Sequence, residues 1–259
     1  MEYKEEQMIE EKIPSHSTRV YFSFVLLVLL VVVIIIVKAQ WQEHVPVRQV
    51  AVEGNSIVSK DEVIQLMKLS PHVSMYALDL TVLQQNILAN SFVKSVVVKR
   101  DAPAMLRVEI EERKPAAILV GTELHYIDEE GIVLPYLATA ETYDIPVIGG
   151  IDSVSVLRVG QKLSNADVQE ALEIIRVSKS VNKDLFHSIS EIRLRKGHDI
   201  VLYSFETGVP IIFGQGDVAK KIVKLDSFWQ KVLQNNDKND IQYIDIRFDD
   251  QVVVSHKNS

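Results

Sequence analysis

Residues 20–37 constrain this chain more than any other segment: eighteen consecutive uncharged residues lie between Arg19 and Lys38, interrupted only by Ser23 and the phenol of Tyr21. Wound as an α-helix rising about 1.5 Å per residue, the run spans roughly 27 Å, close to the ~30 Å hydrocarbon thickness of a bilayer. The charged ends can snorkel to supply the remainder. Its ten Val and Ile residues favour extended backbone locally, but a strand usually runs only about 4 to 8 residues. The segment 20–38 therefore reads as a membrane helix. A cleaved signal peptide competes with this reading, because Val37-Lys38-Ala39 loosely fits a small-residue cleavage site. A signal h-region is shorter, about 7 to 15 residues, so the sequence favours an uncleaved anchor.

Charge counting leaves the orientation of that anchor open. The tail 1–19 carries Lys4, Lys12 and Arg19 against five glutamates, while Lys38, Arg48 and Lys60 follow the helix. The tail has no fold signal of its own, whereas everything after residue 38 reads as folded sequence without a second apolar span. Leaving the tail in the cytoplasm is the simpler arrangement.

The formal charge of −7, from 28 basic and 35 acidic residues, includes no basic stripe that would neutralise phosphates. Nucleic acid is therefore not an expected partner. The absence of cysteine excludes a disulfide framework, a thiolate metal site, a cysteine nucleophile and a lipid-modified cysteine.

The spacing after the anchor predicts a polar connector at 39–46, with Trp41 as an interfacial anchor, and then a strand at 47–52. Ser59-Lys60-Asp61-Glu62 is a capping box that starts a helix carrying Val63, Leu66 and Met67 on one face. A second helix begins at Asp79, with Leu80, Leu83 and Ile87 as its stripe. Strands follow at 93–100 and 105–112, joined by the turn Asp101-Ala102-Pro103-Ala104; Leu106, Val108 and Ile110 alternate with Arg107, Glu109 and Glu111, giving one dry and one wet face. The order β-α-α-β-β predicts a compact sheet-and-helix domain over 47–115, closed by charge and by Pro115, which cannot donate to a ladder.

A second domain is expected at 116–255, a mixed β-sheet with flanking helices, so that the fold class of the chain is α+β. Strands at 116–120, 124–127 and 132–137 include a hairpin whose loop, Asp128-Glu129-Glu130-Gly131, has glycine where positive φ is needed. Ser164-Asn165-Ala166-Asp167 caps a helix with Val168, Ala171, Leu172 and Ile175 on one side. Strands at 189–195, 200–205 and 209–213 precede a long helix from Asp217. Its apolar positions Val218, Ile222, Leu225, Trp229 and Val232 recur at intervals of four and three. Runs at 241–247 and 251–254 complete the sheet and leave a short tail, 256–259.

Chemistry has no visible address in this sequence. The seven histidines (His16, His44, His72, His125, His187, His198 and His256) are scattered, and no pair has the i, i+4 spacing of a helical zinc site. Gly214-Gln215-Gly216 lacks both the third glycine of a dinucleotide fingerprint and the lysine of a P-loop, and reads as a strand-to-helix turn. Asp128, Glu129 and Glu130 could act as general acid and base, but adjacent carboxylates at a hairpin tip read first as a solvated turn. No G-x-S-x-G occurs. Neither a catalytic residue, a metal site, a cofactor nor a small-molecule substrate is expected.

Four segments carry a resemblance to the FtsQ/DivIB family of bacterial division proteins. Val50-Ala51-Val52-Glu53-Gly54-Asn55 resembles the opening strand and turn of the family's POTRA domain. Tyr126-Ile127-Asp128-Glu129-Glu130-Gly131-Ile132-Val133, Ile145-Pro146-Val147-Ile148-Gly149-Gly150 and Tyr243-Ile244-Asp245-Ile246-Arg247-Phe248 resemble three successive landmarks of its β domain. The resemblance implies a septal scaffold in the cell membrane with a cytoplasmic N-terminus, which binds small bitopic partners of the FtsB/FtsL (DivIC) type and links septum assembly to peptidoglycan synthesis. It places partner binding at the terminal strands, through Tyr243, Arg247, Phe248, Gln251, Val252, Val253 and Val254. The residues alone agree: a final strand at 251–254 leaves backbone groups unpaired and open to an added strand. The alternative at that point is that the three valines only finish the core. Phe248 keeps the ring but lacks the hydroxyl of the family's usual tyrosine, and the short 256–259 tail implies no role for an extended one. Two other roles compete: a POTRA-type chaperone or translocation module for β-barrel proteins, for which too few strands follow, and a secreted enzyme released by cleavage after Ala39.

Overall fold

The computed structural model describes residues 16–43, 45–137, 143–151, 157–235 and 240–257. Helix α1 (His16–Glu43) contains the apolar run, and every large apolar side chain in 20–37 is exposed. A helix apolar all round that packs against nothing among the described residues needs a non-aqueous surrounding, and the window Val20–Lys38 has the length and composition to cross a membrane. The expected connector is shorter than 39–46: the helix continues to Glu43, so Trp41 lies within it. No proline or glycine interrupts 38–43, so the helix runs on.

A three-stranded sheet follows, built from β1 (Gln49–Glu53), α2 (Lys60–Leu66), α3 (Leu80–Leu88), β2 (Val93–Asp101) and β3 (Met105–Glu112). The strands lie in the order β1-β3-β2, with β1 parallel and β2 antiparallel to β3. This is the expected β-α-α-β-β unit, and the expected alternation sets its core: Leu106, Val108 and Ile110 are buried against Val63, Met67, Leu83 and Ile87. Ser59 Oγ accepts from Glu62 N–H at 3.2 Å and caps α2, and Asp79 Oδ1 accepts from Thr81 N–H at 2.8 Å and caps α3. The Glu62 carboxylate accepts from Asn90 Nδ2 at 2.7 Å, so its side chain ties the start of α2 to the chain beyond α3.

The second sheet has nine strands: β4 (Pro115–Val120), β5 (Leu124–Asp128), β6 (Val133–Pro135), β7 (Val147–Gly149), β8 (Ile189–Arg195), β9 (Asp199–Ser204), β10 (Pro210–Gly214), β11 (Ile241–Asp245) and β12 (Val253–His256). Their order is β12-β11-β10-β9-β8-β7-β4-β5-β6. Strand β7, only three residues long, pairs parallel with both β4 and β8; it joins the antiparallel block β4-β5-β6 to the block β8–β12, which is antiparallel except for the parallel pair β10 and β11. Helices α4 (Ala166–Val181) and α6 (Val218–Asn235) cover it with the apolar stripes read from the sequence, and a short α5 (Lys183–Ser188) follows α4. Val232 lies in α6, with its side chain outside the described ones.

The two sheets share a core. Tyr126 of β5 and Leu134 of β6 are buried in the same apolar cluster as Val58, Val108 and Ile110 of the first sheet. The hairpin loop between β5 and β6 corrects one expectation. Glu129 and Glu130 are exposed, but Asp128 is buried at 4% exposure. Its Oδ1 accepts from the Glu130 and Ile132 N–H groups at 3.0 and 2.8 Å, so it organises the turn from inside.

Candidate functional site

The nine-stranded sheet has two ends, and the chain treats them differently. At β6 the edge is closed: Val133 N–H donates to Gln161 O at 3.0 Å, Gly160 N–H donates to Val133 O at 2.8 Å, Ile132 bridges Lys162, and Pro135 has no N–H to offer. At β12 nothing equivalent occurs among the described residues. That strand pairs with β11 alone among the described residues, leaving an edge on which another strand can be laid.

Strand β12 lies in the register Tyr243 to Ser255, Ile244 to Val254 and Asp245 to Val253. It begins two residues later than expected and runs to His256, so Gln251 and Val252 precede it. Val252 and Val254 pack partly against the main core, and alternation turns Val253 to the opposite face. Tyr243 is half-buried in β11, while Phe248 and Gln251 are exposed on the connection between the two strands.

Arg247 occupies a different role from open surface charge. Its Nε and Nη2 reach Asp245 Oδ2 at 3.2 and 2.6 Å, and its backbone N–H and Nε reach Asp245 Oδ1 at 3.0 Å each. Burial pushes the Asp245 carboxyl up, but the hydrogen bonds from Arg247 outweigh it and hold the group below the usual carboxylate range. The stem of Arg247 passes over Gly214, where a Cβ would stand 2.8 Å from Arg247 Cγ. Gly214 is thus required by close approach, within the strand-to-helix turn read from the sequence.

Helix α6 fixes the connection that feeds β12. Lys224 Nζ donates to Ile246 O at 3.0 Å and also to Phe248 O, and Lys220 Nζ approaches Asp249 at 3.3 Å. Beneath them Lys221, 7% exposed, donates to Gln215 O at 2.5 Å and lies over the Phe213 ring. Burial pushes this lysine below its ordinary value.

Of the seven residues expected at the site, Tyr243, Val253 and Val254 lie on the paired β11–β12 strands, with Phe248, Gln251 and Val252 on the loop and Arg247 engaged by Asp245. Lys220, Lys224 and Asp245 were not anticipated. The Asp-x-Arg spacing and the lysines at i, i+4 were visible in sequence, but the Asp249 carboxylate that Lys220 meets and the carbonyls that Lys224 meets lie over twenty residues away. The site offers backbone donors and acceptors, apolar contacts and a supporting cation. Among the described residues no group of three or more histidines and carboxylates could hold a metal ion.

Comparison with known proteins agrees with this architecture. Residues 45–113 match the FtsQ-type POTRA domain, and residues 114–255, over half of the chain, match the domain described as FtsQ/DivIB, C-terminal related. Cell division protein FtsQ of Geotalea daltonii is 28% identical over 208 residues, covering 80% of this chain and 74% of that protein. The protein of the same name from Salinibacter ruber is 27% identical over 248 residues, covering 92% of this chain and 93% of the relative. With both sheets matched by the family's domains and an apolar helix ahead of them, this chain belongs to the FtsQ/DivIB family of bacterial cell-division proteins.

Proposed function

We propose that the protein is a bitopic scaffold of the division machinery. On this reading α1 crosses the cell membrane with residues 1–19 in the cytoplasm. Two domains, 47–115 and 116–255, stand on the extracytoplasmic side at the septum. The outer edge of β12 takes a strand from a small bitopic partner of the FtsB/FtsL (DivIC) type, and the scaffold links septum assembly to regulation of peptidoglycan synthesis without catalysing a reaction.

The observation that carries this reading is the asymmetry of the sheet ends. Exposed edges invite unwanted pairing and are normally blocked. Among the described residues β6 is blocked by a covering segment and a proline, and β12 pairs with β11 alone. An added strand gains main-chain hydrogen bonds there, while Val253, Phe248 and Gln251 supply side-chain contacts.

Val254→Pro tests the reading directly. Lys257 N–H donates inward to Asp240 O at 2.8 Å, and alternation along β12 therefore turns Val254 N–H outward. Proline at that position removes an outer donor and is tolerated at an edge. Capture of an FtsB-like partner by the full-length variant should fall roughly tenfold, about 1.4 kcal/mol, with the circular dichroism spectrum retained. Phe248→Ala should also weaken it, whereas a charge at Val252 disturbs the core as well. Unchanged capture by both V254P and F248A would end the proposal.

A further inference from the structure

The three-stranded sheet also has an edge that is only partly covered. Met75 N–H donates to Val45 O at 2.8 Å and Val47 N–H to Val73 O at 3.2 Å, so the segment 73–75 follows the chain at 45–47 and then leaves it. Beyond that point a groove of about 670 Å³ opens between β1 and 69–73. Its lining is apolar at Val50, Ile64 and Leu69, while Arg48, Lys60 and His72 present exposed side chains around it.

The charge of this groove runs against that of the chain. The formal net charge is −7, yet the lining contains no carboxylate among the described residues. Elsewhere in the same sheet the cations are engaged: Lys99 with Glu109 at 2.9 Å, Arg107 with Asp101 at 2.7 Å and Lys94 with Glu130 at 3.0 Å. Arg48, Lys60 and His72 form no such pair among the described residues. Lys68 and His72, at the two ends of the wall 69–71, both have positive φ, +50° and +61°, a strained backbone for residues other than glycine.

Position along the chain indicates the occupant. Helix α1 ends at Glu43, and Val45 is already part of the folded domain. Lys38 to Glu43 adds about 7.5 Å of helix, and the four residues to Val47 add at most about 14 Å. The groove thus begins within roughly 20 Å of the end of the apolar run, and the headgroup layer itself takes up about 5 to 7 Å of that distance.

We infer that this groove is a seat for anionic phospholipid headgroups, with Arg48 and Lys60 drawing the negatively charged surface onto β1. The inference rests on α1 spanning a membrane. Headgroups are favoured over an acidic peptide because the short tether 38–47 holds the groove near the bilayer surface, while the outer edge of β1, which 73–75 does not reach, makes a peptide strand the competing outcome of the test. Such a contact would set the angle at which the folded domains stand on the bilayer.

The full-length chain can be placed in nanodiscs of phosphatidylcholine with and without phosphatidylglycerol, and backbone hydrogen exchange followed at 47–51 and 69–73. Exchange there should slow several-fold in discs containing phosphatidylglycerol. The difference should vanish at high salt and in the double variant Arg48→Glu, Lys60→Glu, with exchange in β4 and β5 unchanged. Equal exchange in the two discs overturns the inference, as does protection that appears only on adding a polyglutamate peptide. A chain that will not enter either disc defeats the membrane reading of α1 itself, whereas entry without protection defeats only the lipid seat.

Discussion

Arg113 and Asp128 lock the two sheets together: Arg113 Nη1 donates to Asp128 Oδ2 at 2.6 Å, with the two side chains 15% and 6% exposed. Arg113 directly follows β3, and Asp128 ends β5. The same guanidinium reaches Glu130 Oε2 at 2.7 Å, and Lys94 of β2 approaches Glu130 Oε1 at 3.0 Å. One hairpin loop is therefore held both from β2 and from the residue that follows β3.

Removing Arg113 leaves the buried Asp128 carboxylate without its cation. Arg113→Ala should destabilise the folded chain by roughly 3 kcal/mol and separate the unfolding of the two sheets. Denaturant unfolding of the detergent-solubilised protein, followed by probes in each sheet, checks both effects. Arg113→Lys restores charge without the fork and should recover only part of the loss.

The same junction should weaken in acid. Hydrogen bonds from Arg113, then from Lys94, hold the Glu130 carboxyl below the usual range. A carboxyl whose folded value is depressed contributes stability above its unfolded value, and that contribution is lost as pH falls through the folded one. Stability should thus decline below about pH 4. Arg113→Gln should raise the Glu130 midpoint in a carbon-detected NMR titration and flatten that part of the acid limb.

Gly54 and Gly150 occupy matching positions, each with φ near +80° and each placing a hypothetical Cβ 2.0 Å from a neighbouring carbonyl oxygen, of Ile110 and Leu194 respectively. Alanine at either position meets backbone that cannot yield, and should cost about 2 kcal/mol or more. Gly197 has φ +85° with nothing within 4 Å, so Gly197→Ala should carry only the ~1 kcal/mol conformational penalty. Parallel thermal melts of the three variants check the ranking.

Lys224 should affect the candidate edge more than the fold. Lys224→Met removes the donor to Ile246 O and Phe248 O but keeps the aliphatic stem. Hydrogen exchange at 246–252 should quicken and partner capture weaken, with the melting temperature shifting by only a few degrees. Unaltered exchange in that loop would show that α6 does not hold it.

Much of the fold was legible because it depends on local periodicity and caps. The stripes of α4 and α6, the alternation of β3 and the caps at Ser59 and Asp79 involve residues near one another in the chain. Two elements escaped. Strand β7 is three residues long, and its stability comes from lying between β4 and β8, which no local pattern records. Helix α5, of six residues, is too short to display a stripe. Within the site, a terminal strand could be anticipated. The engagement of Arg247 by Asp245, the clamp from Lys224 and the shift of β12 to Val253–His256 could not.

The sequence by itself determined a membrane-length apolar helix, two successive sheet-forming units and the lack of a recognisable catalytic grouping, because these follow from composition and short-range spacing. Tertiary structure decided that nine strands form one sheet whose β6 end is closed and whose β12 end pairs only with β11 among the described residues, that Asp128 is a buried junction residue, and that Tyr126 and Leu134 belong to the other sheet's core. Those outcomes depend on which distant segments meet, and partners far apart in the chain leave no periodic trace along it.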